Sequence, residues 1–151
     1  MCNCLICERI AWIQRGENPY FVRGLSTGYV VLGDSQRFQG YTLLLCKTHA
    51  TELHHLPPET RDQFLHEMAV VAEAVDNAFH PDKLNYELLG AGVGLHMHWH
   101  IFPRRAGDTP KPGPIWQLSR EELNDPQYAP TPAMLEDMKA RLNAELDKLL
   151  P

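Results

Sequence analysis

Three histidines alternate with bulky apolar residues in one short stretch of the chain. His96, His98 and His100 are separated by Met97 and Trp99. Because successive side chains of a β-strand point to opposite faces, a strand here would place the three imidazoles on one face and the apolar groups on the other. Packing gains nothing from repeated imidazoles, whereas histidines cluster where proteins bind metals or move protons and phosphoryl groups. The spacing therefore predicts a strand that carries a functional site.

Two chemistries use several histidines in alternation. In a hydrolytic metal site all three would bind one ion, but strand geometry opposes this, because His96 and His100 would lie roughly 13 Å apart. In the second chemistry the middle residue, His98, is a nucleophile toward phosphorus, since a neutral imidazole with a pKa of about 6.5 is available at neutral pH. His100 and backbone N–H groups would then stabilise the negative charge of the transferred group.

The N-terminal cysteines form a second candidate site. Cys4 and Cys7 have the two-residue gap that lets two thiolates reach one tetrahedral zinc ion. An exposed pair without metal is the alternative, because such a site needs two further ligands. His49 lies at the exit of a predicted strand, which is a good position for a ligand and a poor one for core packing. With three of the four cysteines in the first seven residues, a metal half-site is favoured over a disulfide framework.

The rest of the sequence predicts the elements that position these groups. Alternation and turn residues indicate strands, and a helical apolar stripe that opens at Pro57 and ends before Pro81 indicates a long helix. Thr131 and Pro132 begin a last helix whose narrow apolar seam packs on its own sheet or on a partner subunit. The predicted elements are a helix at 8–14, strands at 20–23, 27–32, 41–46 and 83–89, the histidine strand within 94–104, and helices from 58 and 132.

A glycine-rich connector, residues 90–94, leads into the histidine strand. Glycine lets the backbone approach a ligand closely and point N–H groups at it, so Gly94 and its neighbours are candidates for phosphate binding. A simple hairpin turn is the alternative on the same residues.

Composition limits the classes of function. The 151 residues, 44% of them hydrophobic and 22% charged, predict a single soluble domain with its own core. The net charge of −5 provides no basic field for long nucleic acid. The longest apolar run, residues 41–46, is too short to span a membrane, and the N-terminus has no signal pattern, so a cytoplasmic protein is expected.

The motif from His96 to Phe102 resembles the His-x-His-x-His-x-x signature of the histidine triad (HIT) superfamily of nucleotide hydrolases and transferases. The resemblance extends to Cys4-x-x-Cys7, to the Lys47-Thr48-His49 strand exit and to the Phe102-Pro103-Arg104 tail. The Gly113-Pro114-Ile115-Trp116 segment is similar to bacterial members of the diadenosine tetraphosphate hydrolase-like group. Residues 1–118 form the matching core of a single domain spanning 1–151, with 119–151 as a C-terminal helical extension.

The resemblance implies an α+β fold with an antiparallel sheet of about five strands, a long central helix and a C-terminal helix, usually as a homodimer. It implies that His98 attacks the α-phosphorus of a nucleotide and that His100 contacts the phosphate or the leaving group. Asp34 matches the acidic position that binds ribose hydroxyls. By analogy with zinc-bearing relatives, a structural zinc ion would be held by Cys4, Cys7, His49 and His96.

The implied function is hydrolysis of dinucleoside polyphosphates or nucleotide conjugates through a nucleotidyl-histidine intermediate. Two alternatives stay open, a nucleotidyltransferase that uses another acceptor and a nucleotide-binding protein with little catalysis. The second is kept because the 90–94 connector lacks the Asn, Ser or Gln that many family members place just before the triad, so that phosphate contacts would come from backbone groups.

Overall fold

The computed structural model describes residues 3–91 and 95–151. None of the helices in these ranges has the length and apolar character needed to cross a membrane. The elements, in chain order, are α1 (Leu5–Gln14), β1 (Phe21–Gly24), β2 (Gly28–Leu32), β3 (Thr42–Cys46), α2 (Pro58–Phe79), β4 (Lys83–Glu87), β5 (His98–Arg104), α3 (Arg120–Leu123) and α4 (Pro132–Leu149).

The five strands form one antiparallel sheet in the order β1-β2-β3-β5-β4. Strand β3 is central, as predicted from its uninterrupted apolar sequence, because its side chains are buried on both faces. Strand β5 lies between β3 and β4, with His98 opposite Leu45 and His100 opposite Leu43. The predicted α+β class and five-stranded antiparallel sheet are confirmed.

The two faces of the sheet are covered by different helices. Helix α2 packs on one face together with α4, and Trp99 and Ile101 of β5 point into that core. Helix α1 covers part of the other face, where Ile10 contacts the cluster that contains Leu45. Because His98 is paired with Leu45, the histidines of β5 share the α1 face. The period-two alternation therefore separates the core from the site, as the sequence predicted.

The long helix has both predicted ends, and the last helix has the predicted start. Helix α2 begins at Pro58 and ends at Phe79, and His80 takes a left-handed conformation with φ 51° before Pro81. At the start of α4 the Thr131 side chain accepts a hydrogen bond from the backbone N–H of Met134 at 3.2 Å. The apolar seam of α4 packs mainly on helix α2, which the sequence did not indicate, and also on strand β1 of the sheet.

Several boundaries differ from the predicted ones. Helix α1 begins at Leu5, not at residue 8, because the Cys4 thiol accepts from the Cys7 N–H at 3.5 Å and caps the first turn. Strand β4 ends at Glu87, two residues early. Strand β5 begins at His98, although Met97 still donates its N–H to the Ala50 carbonyl at 2.9 Å.

Helix α3 was not predicted, although its sequence carries a signal. Ser119 accepts from the Glu122 N–H at 3.1 Å, and the Glu122 carboxylate accepts from the Ser119 N–H at 2.7 Å. This reciprocal arrangement is a capping box, which Ser-x-x-Glu spells out in the sequence. It orders the segment between β5 and α4.

Candidate active site and metal centre

His98 and His100 lie side by side on β5, with ring centroids 4.7 Å apart. Nδ1 of His98 is 2.8 Å from the backbone oxygen of His96. Because a carbonyl oxygen can only accept, Nδ1 of His98 carries the proton and Nε2 keeps its lone pair. Burial lowers the pKa of His98, against the opposing effect of this hydrogen bond, so the neutral ring dominates at neutral pH. The arrangement leaves His98 with a basic nitrogen that has no hydrogen-bond partner among the described residues.

His100 makes its hydrogen bond to a different element. Its Nδ1 is 2.6 Å from the hydroxyl oxygen of Tyr41, which directly precedes β3. Burial, and to a smaller extent the neighbouring His98, lower the pKa of His100 to about 4. Burial, with the charges of Asp34 and Glu87, raises the pKa of the Tyr41 hydroxyl. Both groups are therefore uncharged at neutral pH.

The four predicted zinc ligands meet at one end of the histidine row. Cys4 and Cys7 come from the start of α1, His49 follows β3, and His96 precedes β5. Their ligand atoms all lie within 4.8 Å of one another. The Cys7 sulfur is 3.1 Å from Nδ1 of His49 and 3.4 Å from Nδ1 of His96. Three distant parts of the sequence thus bring two thiols and two imidazoles together.

This donor set fits a zinc ion. Two cysteines and two histidines are a common tetrahedral set, in which neighbouring ligand atoms lie about 3.5 Å apart, so small side-chain shifts would close the observed cluster. Nε2 of His96 is 2.6 Å from the Cys46 carbonyl and must donate to it, which leaves Nδ1 as the lone pair facing the cysteine sulfur. A second hydrogen bond of this kind is usual for a zinc-bound histidine. The Cys46 thiol itself lies in the main core, outside the cluster.

A pocket of about 380 Å³ opens beside His98 and His100. This volume lies in the range of small-molecule sites. Asp34 lines the same pocket, and its binding of ribose hydroxyls stays a prediction. A more open groove shares both histidines and continues along residues 88–91. The predicted phosphate contact at Gly94 lies outside the described residues.

Asp34 is held by an arginine that the sequence alone did not indicate. Nη1 of Arg9 donates to Oδ1 of Asp34 at 2.9 Å, and Nη2 donates to Oδ2. The Arg9 guanidinium also lies 5.8 Å from the ring centroid of Trp12 and 6.0 Å from that of Tyr20. Because Arg9 is on α1, the helix that begins between the two cysteines also orients the carboxylate in the pocket. No short-range motif signals this pairing.

Glu87 is a second pocket residue that the sequence did not indicate. It stands directly opposite His100 in the β4–β5 ladder and lines the pocket. Its Oε2 is buried and has no hydrogen-bond partner in the described part of the chain. Burial raises the pKa of this carboxyl group, and the Arg104 charge opposes the shift. Only the strand register brings it to the site.

Comparison with known proteins identifies the family. Residues 17–107 match the HIT domain. The chain belongs to the HIT domain family. It is 30% identical over 127 residues to the protein named Protein hit of Bacillus subtilis, covering 80% of this chain and 83% of the relative. It is 28% identical over 150 residues to an uncharacterized HIT-like protein of Mycobacterium tuberculosis, covering 93% and 96%. HIT proteins are generally nucleotide hydrolases or transferases, so membership supports a nucleotide-directed activity of that general kind.

Solved HIT structures have the same fold. A histidine triad protein from Bradyrhizobium japonicum superposes with a TM-score of 0.72 at 24% identity, over 83% of this chain and 89% of that one. A histidine triad protein from Marinobacter aquaeolei gives 0.71 at 25% identity, over 85% and 89%. A zinc-bound histidine triad family protein from Mycobacterium smegmatis gives 0.56 at 25% identity, over 94% and 96%. The predicted HIT fold is confirmed.

Proposed function

We propose that this HIT protein hydrolyses dinucleoside polyphosphates or related nucleotide conjugates at the α-phosphate, with His98 as the nucleophile. One observation carries the proposal. The hydrogen bond from His98 Nδ1 to the His96 carbonyl leaves a neutral ring whose Nε2 lone pair has no partner among the described residues, in a side chain that lines a nucleotide-sized pocket. A positioned neutral imidazole of this kind is suited to attack phosphorus.

The reaction proceeds in two displacements. His98 Nε2 attacks the α-phosphorus, an N–P bond forms, and the bond from phosphorus to the bridging oxygen breaks, so that the leaving group departs with that electron pair. The ring becomes positively charged, and the His96 carbonyl stabilises this charge through the Nδ1–H bond. Water then attacks the phosphorus, the N–P bond breaks with its electron pair returning to Nε2, and the proton that water loses is released to solvent, so that neutral His98 and a nucleoside monophosphate are the products.

The other pocket residues would bind the substrate. Asp34 would accept hydrogen bonds from the ribose hydroxyls, since each carboxylate oxygen retains acceptor capacity beyond its bond to Arg9. His100 would contact the phosphate or the leaving-group oxygen, and the Gly94 backbone would add a phosphate contact. The leaving group would lie along the groove that shares His98 and His100.

We propose in addition that Cys4, Cys7, His49 and His96 hold a structural zinc ion. The cluster geometry supports this, as does the likeness to the Mycobacterium smegmatis relative, a zinc-bound protein. When bound, zinc would cross-link the start of α1, the exit of β3 and the residue before β5. These residues would thereby fix the backbone carbonyl that orients His98.

Replacement of the nucleophile tests the proposal. We expect His98→Ala to lower turnover of diadenosine tetraphosphate and of an adenosine phosphoramidate on the order of a thousandfold or more, with folding unchanged. His66→Ala is the matched control, because His66 is exposed on α2, outside the pocket. Intact-mass spectra of rapidly quenched wild-type protein should show a nucleotidyl adduct that His98→Ala lacks. Wild-type turnover in His98→Ala would refute the assignment.

The same experiment separates the alternatives. Tight nucleotide binding by the wild-type protein without adduct or turnover would indicate a binding protein. A nucleotidyl group that passes to an added sugar phosphate or sulfate faster than to water would indicate a transferase.

The homodimer and the cytoplasmic location stay predictions. Light scattering on the purified protein tests the homodimer.

A further inference from the structure

Tyr41 is built firmly into the wall of the pocket. Its carbonyl accepts from the Gly33 N–H at 2.9 Å and from Nε2 of Gln36 at 3.0 Å, and its own N–H donates to the Phe38 carbonyl at 2.9 Å. A Cβ atom on Gly33 would lie 2.1 Å from the Tyr41 ring, so glycine at that position makes room for the ring. The backbone and ring of Tyr41 are thus fixed before any ligand binds.

The Tyr41 ring lies in a row of parallel rings. It stacks on Phe102 with centroids 4.1 Å apart and planes 10° apart, and its plane is 11° from that of the His100 imidazole. The hydroxyl group meets Nδ1 of His100 at 2.6 Å. No other hydrogen-bond partner of this hydroxyl occurs in the described ranges.

The direction of this hydrogen bond follows from the protons that each group holds. Burial raises the pKa of Tyr41, so the hydroxyl keeps its proton, and that proton has no described acceptor except Nδ1 of His100. Accepting from His100 instead would leave the proton of a partly buried hydroxyl without an acceptor among the described residues, which is costly. The hydroxyl therefore donates, and the single proton of the neutral imidazole sits on Nε2.

Nε2 of His100 is the nitrogen available to a ligand. It has no hydrogen-bond partner in the described residues, and His100 lines both the pocket and the adjoining groove. The neighbouring His98 has the opposite arrangement, because its proton is on Nδ1. Two adjacent imidazoles thus offer a lone pair and an N–H donor. Two lone pairs would repel an anionic phosphate oxygen. With one N–H donor, His100 can bind that oxygen while the lone pair of His98 faces the phosphorus.

We propose that Tyr41 is a positioning residue that holds His100 with its proton on Nε2, so that His100 donates a hydrogen bond to an oxygen of the scissile phosphate or its leaving group. This role rests on the proposed function. In this role the Tyr41 hydroxyl group, and not the ring, determines which nitrogen of His100 is protonated. A residue that only packed against its neighbours would need the ring alone.

Tyr41→Phe tests the role, since it keeps the stacked ring and removes only the hydroxyl. We expect nitrogen-15 NMR of the wild-type protein to show His100 protonated on Nε2 and accepting at Nδ1, with the signal assigned by its loss in His100→Gln. In Tyr41→Phe the other tautomer should become populated, and kcat should fall about tenfold with little change in KM. Tyr29→Phe removes a hydroxyl from β2 outside the pocket and should change neither readout.

Wild-type His100 protonated on Nδ1 would overturn the inference without any variant. An unchanged tautomer and kcat in a folded Tyr41→Phe protein would also overturn it. Failure of the proposed function is a separate result, seen as the absence of adduct and turnover in the wild-type protein. The NMR measurement needs no turnover, so it still decides whether Tyr41 sets the tautomer of His100.

Discussion

Removing zinc from the proposed site should lower the melting temperature of the protein. The cluster joins Cys4 and Cys7, at the start of α1, to His49 after β3 and His96 before β5. An ion that binds only the folded protein stabilises it by about 2.7 kcal/mol when its free concentration is about 100 times the dissociation constant. For a chain of this size that corresponds to a fall in Tm of about 8 °C on removal.

The assay is thermal unfolding with and without a strong chelator, beside metal analysis of the purified protein. We expect close to one equivalent of zinc, a lower Tm after chelation and recovery of the Tm when zinc is returned. Cys4→Ser and Cys7→Ser should each abolish the response to zinc. Cys46→Ala is the matched control, because Cys46 is a buried free thiol outside the cluster, so its variant should keep one equivalent of zinc.

Two results would refute the reasoning. One is purified protein with far less than one equivalent of zinc and a Tm that neither chelator nor added zinc changes. The other is a Cys4→Ser variant that retains the wild-type response to zinc. Since the His96 carbonyl orients His98, chelation should also lower turnover, but the unfolding measurement stands whether or not the protein is an enzyme.

Three further changes have defined outcomes. Arg9→Met should lower the free energy of unfolding by less than about 1 kcal/mol, because its partner is exposed, yet raise the KM for ribonucleotides by releasing the Asp34 carboxylate; an unchanged KM would exclude the orienting role. Glu87→Gln should lower KM for polyphosphate substrates by removing negative charge from the pocket, and a higher KM would contradict this. The folded pKa of His100 is below its unfolded value, so stability is complete above about pH 6.5 and about 3 kcal/mol is lost as the pH falls to about 4 and below. Denaturant unfolding of His100→Gln should show a correspondingly smaller acid loss, and an equal loss would rule out this contribution.

Patterns with a short period in the sequence predicted most of the fold. Alternation at Trp99 and Ile101 assigned the core face of β5, and prolines at both ends marked the extent of α2, because these signals depend only on neighbouring residues. The start of α1 was predicted too late because its cap is a cysteine thiol, which is not among the usual capping residues.

The pocket was less predictable than the fold, because its residues meet through pairing between distant segments. Glu87 reaches the site only through its register opposite His100, and a shift of one residue would turn it to the other face of the sheet. Arg9 reaches Asp34 only because α1 crosses the sheet beside the loop after β2. Neither pairing leaves a pattern within either segment.

Three chemically identical side chains acquire different properties in this protein through the groups that hold their second nitrogen. The Cys46 carbonyl accepts a hydrogen bond from Nε2 of His96, and the His96 carbonyl accepts one from Nδ1 of His98. His100 faces the hydroxyl of Tyr41. The spacing of the histidines determines only which face of the strand they share, whereas these partners determine which nitrogen of each ring offers a lone pair. A substitution that preserves the three histidines but changes one of these partners should therefore alter which ring nitrogen is available to a substrate or a metal.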